Sequence, residues 1–199
     1  MSILVLTSDT LIGTAATGNI EYNGQFFGTD SAAARAQIQR ITLGTAVAST
    51  SGTSIDFTSI PSWVKRITVM FLGVSTSGSS VVQIQLGAGS VTTTGYLSSG
   101  VSLANTGTVV GATQTTGFGV EVANGNTSAS SLRNGHAVIT LITGTTWVNS
   151  SNLAYSNTGF SAVTGGNLAL GGTLDRVRIT TVNGTDTFDA GSVNILYEG

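Results

Sequence analysis

Apolar residues in this chain return at every second position, in short runs, and that period decides what the chain can build. Val81-Val82-Gln83-Ile84-Gln85-Leu86 is the clearest case, and Thr53–Phe57 and Arg176–Val182 follow the same rule. Side chains alternate sides along an extended strand, so each run offers one face to a core. Val64–Leu72 puts Ile67, Val69 and Phe71 on one face and Arg66, Thr68 and Met70 on the other. Phe118–Val122, His136–Ile142, Trp147–Tyr155, Leu168–Leu170 and Ser192–Glu198 read as further strands. Ser59–Trp63 turns the chain, and Asn124-Gly125, Asn134-Gly135 and Asn183-Gly184 carry turn chemistry, since Asn and Gly tolerate a left-handed backbone. About eight to ten short strands joined by turns predict an all-β fold, an antiparallel β-sandwich of jelly-roll-like kind.

Two stretches depart from that text. Residues 87–117 are rich in Gly, Ser and Thr and predict long exposed loops with at most one strand near Tyr96-Leu97; loops of that length in a compact domain commonly bind something. The first forty residues predict a separate arm, leaving 41–199 as the β-sandwich domain. Within the arm, Asn23-Gly24 between Ile20/Tyr22 and Phe26/Phe27 predicts a hairpin, because a type I′ turn needs positive φ at both central positions. Asp30–Arg40, with its alanines and with Asp30 or Ser31 as cap, predicts one short helix that must be held by packing from elsewhere.

Composition narrows the chemistry. Thr (32), Ser (24) and Gly (27) make up 83 of the 199 residues, and only 8% are charged, where about 25% is usual. Seven Lys and Arg against nine Asp and Glu leave a net charge of -2, which gives no basic field for nucleic acid. With no Cys there is no disulfide, thiolate ligand or thiol nucleophile. No apolar run approaches the roughly 18 residues of a membrane helix, so membrane insertion is not expected. Met1–Leu6 lacks the basic start of a signal peptide, so synthesis without cleavable export is expected.

No catalytic or metal constellation stands out. His136, the single histidine, follows an Asn-Gly pair at a strand start and reads as an ordinary strand-end residue. Asp186 and Asp189 could offer oxygens to Ca²⁺, but calcium takes six to eight of them, and a polar turn is the simpler reading. Lys65-Arg66 and Asp175-Arg176-Val177-Arg178 read as solvated faces or ion pairs rather than a nucleic-acid patch. Asp56 and Glu121 stand isolated. No cofactor is expected.

Three segments carry a resemblance. Gly18–Thr29 resembles an element at the start of many tail-fibre and virion proteins of tailed bacteriophages. Thr50–Val74 and Leu174–Glu198, about a quarter of the chain, are similar to blocks of a family of tailed-phage structural proteins that flank a variable Ser/Thr/Gly-rich middle. The resemblance implies a virion component assembled in the host cytoplasm, homotrimeric, that attaches to other virion proteins through its arm. In such a short tail fibre Ile20, Tyr22, Phe26 and Phe27 would anchor the arm. Loops between residues 87 and 131, with Tyr96 and Phe118, would touch a host surface glycan or protein, since loops and aromatic faces suit recognition. A capsid decoration or head-fibre protein is the alternative, and a glycan-degrading enzyme a distant one. The resemblance brings no catalytic residues with it.

Overall fold

A computed structural model describes residues 20–22, 26–29, 32, 34–123 and 127–199. The chain divides into two compact units, Met1–Arg40 and Ile41–Gly199. In the first, β1 (Ile20–Tyr22), β2 (Phe26–Thr29) and β3 (Arg35–Gln37) form a three-stranded antiparallel sheet in that order. The expected hairpin is present, with Tyr22 opposite Phe26 and Ile20 opposite Gly28; its Asn23-Gly24 turn lies outside the described residues. The expected helix is a correction. Asp30, Ser31 and Ala33 lie outside the described residues, but Arg35–Gln37 is a strand paired with β2 through Phe27–Gln37 and Thr29–Arg35. A ten-residue helix needs a packed face, whereas these residues gain ladder hydrogen bonds from a strand edge already in place.

The second unit is all-β among the described residues. Its strands are β4 (Ile41–Leu43), β5 (Val47–Ala48), β6 (Ser54–Thr58), β7 (Arg66–Thr76), β8 (Val82–Ala88), β9 (Ser90–Val91) and β10 (Leu97–Ala104). There follow β11 (Val109–Gln114), β12 (Phe118–Gly119), β13 (Arg133–Thr143), β14 (Thr146–Tyr155), β15 (Phe160–Ala169), β16 (Arg176–Thr181) and β17 (Phe188–Glu198). A nine-stranded sheet runs β11-β10-β15-β14-β13-β7-β17-β4, with β5 also on β17; a five-stranded sheet runs β12-β8-β16-β6, with β9 on β8. Every pairing is antiparallel. The two sheets pack as a sandwich.

The winding follows from which strands cross between layers. β7 leads into β8 in the opposite sheet, and β16 leads back into β17, so that β7 pairs β17 while β8 pairs β16. That double pairing is the jelly-roll-like element; β13, β14 and β15 extend one sheet as a meander. The alternation seen in sequence builds the core between them. Ile67, Val69, Phe71, Ile139, Val193 and Ile195 face inward from the larger sheet, and Ile55, Phe57, Ile84, Leu86, Val177 and Ile179 from the smaller. Burial of a side chain of this size contributes about 1.5–3 kcal/mol.

Two expectations change here. Residues 87–117 contain β10 and β11, a regular hairpin with Ser98 opposite Gln114 and Leu103 opposite Val109. Asn134-Gly135 is an irregularity inside β13, not a turn between strands: the register with β7 shifts between Arg133 and Gly135. Gly135 has φ of 140°, and a Cβ there would sit 2.3 Å from the Asn152 carbonyl oxygen. Asn134 Oδ1 accepts from Gly73 N at 2.8 Å. The same residue preferences that favour turns also favour a bulge within a strand.

Candidate functional site

The outer face of the five-stranded sheet holds the most developed polar surface. β8 is buried on both sides: Val82, Ile84 and Leu86 enter the core, and Gln83 and Gln85 lie under the segment around Thr116. Thr116 Oγ1 donates to Gln83 Oε1 at 2.9 Å, and Gln85 Nε2 donates to the Thr116 carbonyl at 2.8 Å. Gly117 lets this segment lie so close, because a Cβ would come 2.6 Å from Gln83 Oε1. Beside the glutamines, Arg178 of β16 meets Asp56 of β6, with Nε–Oδ1 at 2.7 Å and Nη2–Oδ2 at 2.9 Å. The two residues stand opposite each other in register.

Gln83, Gln85, Thr116 and Arg178 line an open groove of about 420 Å³ that also takes in Thr180 and Asn183. Thr180 is fixed through Thr53 at 2.8 Å, and Asn183 Oδ1 closes its own turn by accepting from Thr185 N and Asp186 N. The groove therefore presents preset hydroxyls and amides and one guanidinium whose charge Asp56 balances. Its lining includes no carboxylate or imidazole to move a proton. Such a surface can hold a neutral, hydroxyl-rich ligand by hydrogen bonds, with pre-positioned side chains limiting the entropy lost on binding.

A second polar cluster lies inside the sandwich. Glu121 Oε2 accepts from Arg133 Nε at 2.6 Å and from the Tyr155 hydroxyl at 2.5 Å, while Oε1 accepts from Val82 N at 2.8 Å. Arg133 Nη1 donates to the Ser131 carbonyl at 3.2 Å; Nη2 has no partner among the described residues. Both ions are fully buried. Burial first, and then the Glu121 charge, hold the Tyr155 hydroxyl far above its ordinary pKa, so it stays a donor. The cluster joins β8, β13, β14 and the segment after β12, and acts as a clamp at one end of the fold. Charges withdrawn from water persist only when paired and hydrogen-bonded, as Glu121 is here by three donors. Nothing in the sequence near Glu121 announced it, since its partners are 12 and 34 residues away on other strands.

The residues singled out by sequence fall in several places. Tyr96 and Phe118, expected as surface contacts, are 1% and 0% exposed. Their rings meet edge to face at 4.9 Å, and the Tyr96 hydroxyl accepts from Leu86 N at 2.6 Å and donates to the Thr92 carbonyl at 3.1 Å. They are core residues that offer no face to a partner, a correction with a simple cause: large aromatics contribute most when buried. In the arm, Ile20 and Phe26 are 70% and 45% exposed, and the Tyr22 and Phe26 rings lie 5.1 Å apart across the hairpin.

His136 is exposed on the outer side of β13, opposite Met70 and Asn152. Asp186 accepts from Ser80 N and Asn183 Nδ2, and Asp189 accepts from Ser75. Among the described residues no three His, Cys, Asp or Glu side chains come together. Arg176 pairs with its neighbour Asp175, and Arg66 with Glu198. Compared with protein families, with characterised proteins and with solved structures, the chain matches none.

Proposed function

We propose that this chain is a bacteriophage virion structural protein, a short trimeric tail fibre that contributes to attachment at the host surface. One observation carries the reading. The two segments that resemble phage structural proteins, Thr50–Val74 and Leu174–Glu198, are neighbours in space: β6 pairs β16, and β7 pairs β17. Together they form a two-layer frame, and the strands of the Ser/Thr/Gly-rich middle extend both sheets from one side of it, beyond β7 and β16. A fixed frame with a variable insertion is the arrangement expected of a virion component whose attachment is constant and whose outer surface changes. In this reading Ile20, Tyr22, Phe26 and Phe27 anchor the arm to another virion protein. The groove of Gln83, Gln85 and Arg178 takes over the receptor contact first assigned to Tyr96 and Phe118, and its ligand is a neutral surface glycan.

Labelling the protein on intact particles tests the location. Label at the tail is expected; label distributed over the capsid would overturn the fibre in favour of a head decoration, and unlabelled particles would overturn both. The groove is tested separately with host polysaccharide. Arg178→Ala should weaken binding about tenfold while the fold is kept, and binding by the wild type without release of reducing ends is the expected pattern.

A further inference from the structure

Charge is distributed unevenly over the sandwich. No Asp, Glu, Lys or Arg occurs from Ile67 to Val120 or from Asn134 to Leu174. Those spans contain all of β10, β11, β14 and β15, the four strands at one end of the nine-stranded sheet. The alternation in β10 is also reversed: Ser98 and Ser102 are buried, and Leu97, Val101 and Leu103 point out. Val101 stands opposite Val163, and Leu103 opposite Val109. These five outward residues are between 47% and 67% exposed. The result is a face without a charged group, on which these five apolar side chains stand among neutral polar ones such as Ser99, Thr113, Asn152 and Asn167.

The edge of that face is unprotected. Proteins blunt exposed edges with short strands, charges, Pro or bulges. β4 is three residues long, β12 is two, and β6 carries Asp56 in an ion pair. β11 has none of these devices: six residues, no charge, no Pro, and an unbroken register with β10. Among the described residues nothing pairs with its other side.

We infer that this face and edge are covered by a second copy of the same chain. A partner that presented charges there would lose their hydration and gain no counter-charge, so the occupant must itself be charge-free. Another copy supplies such a face without any further requirement. The area also suffices. Four strands about 4.8 Å apart and about 27 Å long make a patch of roughly 500 Å², and two such patches bury about 1,000 Å², the size at which specific contacts begin. The inference rests on the trimeric reading only in naming the surface through which copies meet; it does not depend on where in a virion the protein sits.

The experiment measures the mass of the full chain in solution by light scattering at micromolar concentration. An oligomer is expected for the wild type. Val101→Lys combined with Val163→Lys should reduce it to monomer with unchanged circular dichroism, whereas Thr58→Lys on the exposed side of β6 should leave it intact. Should the charged pair fail to fold, Val101→Thr with Val163→Thr keeps the β-branched shape and should raise the dissociation concentration tenfold or more. A monomeric wild type overturns the inference, as does an oligomer that all these variants leave unchanged. Neither result bears on particle labelling, which tests the virion reading by itself.

Discussion

The outer face of the five-stranded sheet and the far end of the nine-stranded sheet are made from the same stock of Thr, Ser, Gly and Val, yet they finish differently. On the first, each charged group meets an opposite one: Arg178 with Asp56, and Arg176 with Asp175. Glutamine and threonine fill the spaces between them with hydrogen bonds to loops that cross the sheet. On the second there is nothing to pair, and the strands turn leucine and valine outward instead. A face that satisfies its own polar groups can meet water or a soluble ligand. One that leaves apolar side chains uncovered beside an unguarded edge is, in the proposed assembly, finished by another copy of the chain.

The contrast can be strained most severely at the buried clamp. Arg133→Met leaves Glu121 buried with Tyr155 and a backbone amide as its remaining donors, and should cost about 3–5 kcal/mol in urea denaturation. Replacing both ions, with Glu121→Gln added, should return part of that loss, which would separate the cost of an orphaned charge from the worth of the pair. Next in size is Tyr96→Phe, within the charge-free span. It removes the acceptor of Leu86 N while keeping the ring against Phe118, and about 1–3 kcal/mol is expected. A loss as large as that at Arg133 would contradict the view that neutral hydrogen bonds suffice there.

Effects at the ion-paired surface should be smaller. Arg178→Ala is expected to change unfolding free energy by at most about 1 kcal/mol, because both partners are substantially exposed. The smallest effect belongs to Asp175. Its hydrogen bonds to Arg176 hold its carboxyl below the usual range, helped by the Gly89 amide. A depressed folded pKa stabilises above the ordinary carboxylate range and loses its effect as pH falls through the folded value. The melting difference between wild type and Asp175→Asn should therefore be present at neutral pH and vanish in acid. A difference that grew in acid would reverse the assignment.

Much of the sandwich was legible because its central strands alternate with the apolar face inward. β7, β8, β16 and β17 follow that pattern, and each is where the residues place it. β10 was not legible, and the reason is physical: its apolar residues point away from the core, and small Ser and Gly residues occupy the inner positions. A reader of periodicity sees a weak signal there, since period alone does not say which face is inside. β15 fails in the same way through Gly165, Gly166 and Val163. Gln83 and Gln85 were visible only as the polar half of an alternating strand; that they are buried follows from the loop at Thr116 and Gly117, a contact between segments some thirty residues apart. Tyr96 and Phe118 were misplaced because an aromatic beside Gly and Thr looks the same in sequence whether it caps a loop or opens a core strand.

The frame formed by Thr50–Val74 and Leu174–Glu198 has a consequence for synthesis. β6 and β8 must both wait for β16, which lies between them, and β7, which pairs β13 on one side, lacks its other neighbour until β17 emerges. At about 5–20 residues per second, the roughly 100 residues separating the two blocks take of order 5–20 seconds to translate. During that interval β6, β7 and β8 each have an open edge, and the core between the two layers is incomplete. The chain can complete its core only once β17 has been translated, and loss of residues 174–198 would remove an inner strand from both layers at once.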